Sequence, residues 1–136
     1  MQRILLKSKI HRATVTRSDL DYEGSCSIDE ELMRLAEIVA GEQVHIANIT
    51  RGTRAVSYAI AGAPGEIGLN GGMAHLGGPG DLVILMTYGH VDEGDVLGFA
   101  PRIVYVDIRN RPRSPDAAGG SEVSRWTLWR SPDPAD

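Results

Sequence analysis

Only one stretch of this chain keeps its apolar residues at helical spacing. In "SIDEELMRLAEIVAG", residues 27–41, Leu32, Leu35, Ala36 and Val39 fall at i, i+3, i+4 and i+7, the stripe of an amphipathic helix. Ser27 and Glu30, three residues apart, read as a capping box, and Gly41 reads as the stop. Everywhere else the apolar runs are short and broken by glycine. Sixteen glycines in 136 residues suit a turn-rich β architecture far better than a helix bundle.

The β signals come in order along the chain. Residues 4–6 and 10–16 carry two short ones, with Ala13 and Val15 alternating with Arg12, Thr14 and Thr16. "EQVHIANIT" and "TRAVSYAIA" flank a turn at Arg51-Gly52 and read as a hairpin. In its second arm Arg54, Val56, Tyr58 and Ile60 share one face, and Ala55, Ser57, Ala59 and Ala61 share the other. Either Arg54 and Tyr58 line a pocket, or that face is partly exposed and its long side chains snorkel. Six glycines lie between Gly68 and Gly80, and Asn70-Gly71 is a strong turn signal. The "NGGMA" cluster lets a backbone approach a ligand closely, but no phosphate-loop or dinucleotide fingerprint accompanies it. Residues 82–88 form the most apolar strand, and "PRIVYVDI" reads as the last, with Ile103, Tyr105 and Asp107 on one side. The expectation is a six- or seven-stranded, antiparallel-rich barrel over residues 1–108. From Arg109 onward four of the seven prolines appear without a sustained period, so residues 109–136 read as a mostly disordered tail. Within it Trp126 and Trp129 are candidates to dock on the domain or on a neighbouring subunit.

Several function classes are set aside. A formal charge of -4 gives no nucleic-acid footprint. No apolar run approaches the roughly 18 residues of a membrane span, and no signal-peptide core opens the chain, so a cytoplasmic protein is expected. The single cysteine, Cys26, makes no intrachain disulfide. With His11, His45, His75 and His90 it forms no recognisable ligand pattern, and no metal is expected.

"YEGSCSID", residues 22–29, poses the sharper question: Gly24-Ser25 is either the turn that starts the helix or a bond built to break itself. "KSKIHRATVT", "LDYEGSCSID", "TRAVSYAI" and "LNGGMAH…GDLVIL" together resemble the pyruvoyl-dependent aspartate 1-decarboxylases, in order and spacing, from Met1 to about Asp107.

The resemblance implies a double-psi β-barrel with one or two short helices, assembled as a homotetramer with active sites between subunits. It implies self-cleavage at Gly24-Ser25 into residues 1–24 and 25–136, with Ser25 converted to a pyruvoyl group; this replaces pyridoxal phosphate as the electron sink. The pyruvoyl ketone would form a Schiff base with L-aspartate, and loss of CO2 would give β-alanine for pantothenate and coenzyme A synthesis. Ser57 would assist cleavage at the Gly24 carbonyl and stand among the substrate-binding positions. Being a serine, it rotates more freely than a threonine, which predicts slower maturation. Tyr58 would be the proton donor. Arg54 and Lys9 would meet substrate carboxylates, with His11 nearby, and Tyr22 would flank the cleavage loop. Asn70 would support the site, and Gly71, Gly72 and Met73 would contact substrate through their backbone. Met73 stands where a small residue is usual, which bears on substrate fit. Two rivals remain: a β-barrel binding module that never cleaves, and a decarboxylase of another acidic amino acid such as glutamate.

Overall fold

The computed structural model describes residues 1–114. In chain order it contains β1 (Gln2–Thr14), β2 (Arg17–Asp19), β3 (Ser25–Asp29), α1 (Glu30–Ala36), β4 (Gln43–Asn48), β5 (Arg54–Gly62) and β6 (Ile67–Asn70). A 3-10 turn at Gly71–His75, β7 (Leu82–Asp92), a second 3-10 turn at Glu93–Asp95, β8 (Arg102–Val106) and β9 (Pro112–Arg113) follow. The strands form one sheet in the order β2-β6-β3-β5-β4-β7-β1-β8-β9. Five of its pairings are antiparallel, while β1·β8, β2·β6 and β3·β5 are parallel. The sheet curls on itself where Thr16 N–H donates to the Ile67 carbonyl (2.8 Å) and Ile67 N–H donates to the Thr16 hydroxyl (2.9 Å). The result is the mainly β, barrel-like fold with one helix that the glycine-broken alternation leads one to expect. Ile10, Ile28, Leu32, Ile67, Val83 and Leu85 are completely buried in its core, each worth about 2 kcal/mol of burial.

Three local expectations are corrected. β1 is a single strand, not two, because register shifts at Leu6/Ser8 and Ile10/Ala13 absorb the breaks in alternation, with Arg12 at φ 61°. The helix is only seven residues long and its N-cap is Asp29 rather than Ser27. Asp29 accepts from Glu31 N–H (2.8 Å) and Leu32 N–H (3.4 Å), and its second oxygen accepts from Gly65 N–H (2.7 Å), so it serves two elements at once. Ser27 is instead drawn into β3 between β5 and β6. At the other end Glu37 turns left-handed (φ 56°) and Ile38 N–H returns to Met33, leaving Val39 67% exposed.

β5 takes the second of its two readings, with a partly exposed face for Arg54 and Tyr58. Its small residues Ala55 and Ala59 face the core, while Arg54 and Val56 are exposed, Val56 by 57%. Finally, the fold continues past Asp107. Asn110 is buried at φ 62°; its side chain accepts from Thr14 N–H (2.7 Å) and donates to the carbonyls of Thr14 (2.8 Å) and Gly65 (2.9 Å). β9 then pairs with β8. Residues 109–114 therefore belong to the folded part rather than the tail; Trp126 and Trp129 lie outside the described residues.

Candidate functional site

Burial changes abruptly across one peptide bond. Gly24 is exposed, and Ser25, which opens β3, is only 1% exposed. β3 is gripped on both edges, parallel by β5 and antiparallel by β6, so its first residue is held firmly. The Ser25 hydroxyl donates to the Glu23 carbonyl (2.9 Å) and accepts from Asn70 Nδ2 (3.0 Å). A bond back to residue i−2 folds the side chain over the 24–25 peptide, the side from which Oγ reaches the Gly24 carbonyl carbon through a five-membered ring. The Asn70 amide nitrogen also donates to Ser27 Oγ (2.9 Å), while Asn70 Oδ1 is buried with no hydrogen-bond partner.

After Asn70 the chain turns at Gly71, with φ at +67°, and runs against the exposed loop. A Cβ on Gly71 would lie 2.7 Å from Gly24 Cα and 3.2 Å from the Tyr22 carbonyl oxygen. Only glycine fits there. Gly72 is exposed with open space around it, whereas Met73 is buried and lines a narrow cleft with Arg54, Leu69 and Leu76. Cys26 pairs with Ala59 across the parallel β3·β5 ladder. Ser57 and Tyr58 directly precede Ala59 on β5, the strand that runs parallel beside β3. Tyr22 is half exposed and stacks under the Arg17 guanidinium, 5.7 Å from the ring centre. The loop before it is shaped by Asp19, whose carboxylate accepts from Asp21 N–H (3.0 Å) and whose carbonyl accepts from Tyr22 N–H (3.4 Å).

Thus Tyr22, Gly24, Ser25, Asn70 and Gly71 are brought together within one chain, with Ser57 and Tyr58 on the adjacent strand β5. Lys9, His11 and Arg54 are not among them. Arg54 lies four residues from Tyr58 on β5, about 13 Å along the strand. Lys9 and His11 lie on β1, three strands from β5, or about 14 Å of sheet. Lys9 pairs with Met86 of β7, and His11 pairs with Tyr105 of β8, its ring edge-on to the Tyr105 ring at 5.6 Å. By strand alternation Tyr58, Arg54 and Lys9 share the outer face of the same sheet.

Burial pushes the Cys26 thiol up to about 12, so at neutral pH it is a packed, protonated side chain rather than a nucleophile. His75 and His90 are exposed. Among the described residues no three His, Cys, Asp or Glu side chains gather to hold a metal ion, and no helix is long and apolar enough to cross a membrane. Two site contributors went unseen in the sequence. The Glu23 carbonyl carries no side-chain signal at all. Ser27 carried the wrong one, since its spacing to Glu30 spoke for a helix cap.

Comparison with known proteins is consistent along nearly the whole described chain. The family model for aspartate decarboxylase matches residues 1–113. Aspartate 1-decarboxylase of Mycolicibacterium smegmatis is 56% identical over 112 residues, covering 81% of this chain and 82% of that protein. Aspartate 1-decarboxylase of Myxococcus xanthus is 56% identical over 113 residues, covering 82% of this chain and 87% of that protein.

Proposed function

Because this chain belongs to the aspartate decarboxylase family, we propose that it converts L-aspartate to β-alanine and CO2 after cutting itself between Gly24 and Ser25. The observation that carries the self-cleavage is the Ser25 hydroxyl, buried and folded back over its own peptide bond between the Glu23 carbonyl and the Asn70 amide.

Cleavage uses only the chain's own atoms and water. Ser25 Oγ attacks the Gly24 carbonyl carbon and the peptide C–N bond breaks, giving an ester and a free amine on residue 25. Loss of the Ser25 α-proton then expels the Gly24 carboxylate by β-elimination. The resulting dehydroalanine takes up water and releases ammonia, leaving a pyruvoyl group on residue 25. Gly24 has no side chain to hinder attack, and no atom lies within 4 Å of where its Cβ would stand. Ser57, on the strand beside β3, would bring a hydroxyl to the carbonyl whose oxygen takes up negative charge.

The pyruvoyl group supplies an electron sink conjugated to the substrate α-carbon, the part that pyridoxal phosphate plays elsewhere. The residues around Ser25 fit such a group: the Asn70 amide N–H already points at an oxygen on this side chain. Tyr58, next along the parallel ladder, carries the phenol that returns a proton to the α-carbon. Arg54 and Lys9 bind carboxylates, Arg54 with a planar fork suited to bidentate contact. Their distance from Ser25 within one chain supports a site completed by a neighbouring copy. The outer face carrying Tyr58 and Arg54 also exposes Val56 (57%), Ile4 (67%) and Tyr88 (39%), an apolar surface suited to burial between subunits of a homotetramer. β-Alanine made in the cytoplasm would then feed pantothenate and coenzyme A synthesis.

One observation favours a second reading. Met73 and Arg54 line the same cleft, so the space beside the carboxylate-binding Arg54 depends on a large flexible side chain. Competition between aspartate and glutamate separates the two substrates. The primary test is intact mass of freshly purified protein, repeated after incubation, alongside an assay for β-alanine. Two pieces, one ending at Gly24 and one beginning with a pyruvoyl, are expected. A chain that stays whole and makes no β-alanine is either a stalled proenzyme that needs a helper or a binding module.

A further inference from the structure

We propose that Ser27 is a positioning residue for chain cleavage: its hydroxyl aims the Asn70 amide at the hydroxyl of Ser25. The inference rests on the self-cleavage reading above.

Ser25 and Ser27 project from the same face of β3, opposite Asn70, which faces Ser25 in the antiparallel ladder with β6. One nitrogen bridges them, Asn70 Nδ2 donating to Ser25 Oγ at 3.0 Å and to Ser27 Oγ at 2.9 Å. Both hydrogens of the amide are thereby used. Ser25, Ser27 and Asn70 are 1%, 3% and 0% exposed, so bulk water does not take over a lost partner.

A carboxamide is nearly symmetric in shape, and turning it by half a revolution exchanges Nδ2 with Oδ1. The turned arrangement would ask Ser25 to donate to Oδ1 and so abandon the Glu23 carbonyl. It would also send both amide hydrogens to the place where Oδ1 now has no partner. The second hydrogen bond, to Ser27, therefore helps choose which amide atom Ser25 meets. Without it one buried N–H loses its acceptor, and the amide loses half of what holds it in the productive orientation. The Ser25 hydroxyl then has no fixed donor, and its own proton is no longer directed at Glu23. Ser27 acts through Asn70.

The test is the rate at which the full chain cuts itself. It is made in a short pulse of cell-free synthesis and followed by intact mass, with the thermal midpoint of the uncut chain measured in parallel. Ser27→Ala is expected to cut about tenfold more slowly than wild type, the worth of one hydrogen bond. Ser27→Thr, which keeps the hydroxyl, is expected to stay within about threefold of wild type. Ser27→Cys fills the same space with a poor acceptor and is expected to be slowed like the alanine variant. It decides the matter even if Ser27→Ala does not fold. Wild-type rates in folded Ser27→Ala or Ser27→Cys, with the wild-type chain cutting normally, overturn this inference and leave self-cleavage standing. A wild-type chain that never cuts overturns both.

Discussion

The backbone of Gly71 is pressed against the backbone of Gly24: a Cβ on Gly71 would stand 2.7 Å from Gly24 Cα and 2.9 Å from its amide nitrogen. The positive φ of Gly71, +67°, adds a second demand that only glycine meets without strain. Gly71→Ala should therefore shift Gly24 and slow cleavage by about tenfold to a hundredfold, the rate equivalent of one to three kcal/mol of strain. Gly72→Ala, whose Cβ meets nothing within 4 Å, should cut at the wild-type rate. Intact mass over time compares the two, and equal rates would remove Gly71 from the cleavage machinery.

In the proposed mechanism cleavage and turnover draw on different neighbours of Ser25, so they should separate by mutation. Ser25→Ala should fold, remain whole and produce no β-alanine. Tyr58→Phe should still cut itself but lose about a hundredfold or more in kcat, the usual contribution of a positioned general acid. Appreciable β-alanine from Ser25→Ala would sink the mechanism, and normal turnover in Tyr58→Phe would remove that phenol as the proton donor.

Cys26 sits next to Ser25 yet should be inert. Burial pushes its thiol to about 12, so at pH 8 its thiolate is about a thousandfold scarcer than that of an ordinary cysteine. Maleimide labelling of the folded protein should be slower than that of the unfolded chain by at least that factor. Rapid labelling at native conditions would show a thiol far more open than this packing allows.

Asp81 should set part of the acid limit of stability. Its carboxyl is held below the usual range by hydrogen bonds from Asn48 and Gly78 N–H, with Arg51 adding to them. Since the folded value lies below the unfolded one, the stabilisation is complete above an ordinary carboxylate pKa of about 3.9 and fades as pH falls through the folded value. Asp81→Asn should lower the thermal midpoint at pH 7 by more than at pH 3. A gap that stays constant with pH would mean the Asp81 charge contributes nothing.

What the sequence made legible was local. Gly24-Ser25, Ser57-Tyr58 and Asn70-Gly71 are short motifs on or beside β3, β5 and β6, which become neighbours, so reading each motif brought the proposed cleavage residues to one part of the sheet. What stayed hidden depends on register and on single buried polar groups. β1 reads as two fragments because bulges break its alternation. On β5 the alternation separates the two faces but not which one is buried; Ala55 and Ala59 turn to the core and Val56 to solvent. Ser27 matched a capping pattern that Asp29 fulfils better, because Asp29 also anchors Gly65. Asn110 lies in proline-rich sequence that resembles a tail, and only its three hydrogen bonds to Thr14 and Gly65 reveal that the domain extends to it.

β1 lies inside the sheet, between β7 and β8, while β2 closes one edge on β6. A cut after Gly24 therefore severs the covalent link to interior strands while leaving their ladders in place. Such a cut would make the barrel a complex of two peptides, neither of which contains a whole core. Folding has to come first and scission second, since the pieces meet as a loop closure before the cut and as a bimolecular encounter after it. Heat would then do more than unfold the cut protein: it would release the N-terminal peptide, so the midpoint should rise with protein concentration, and cooling should return little of what was lost.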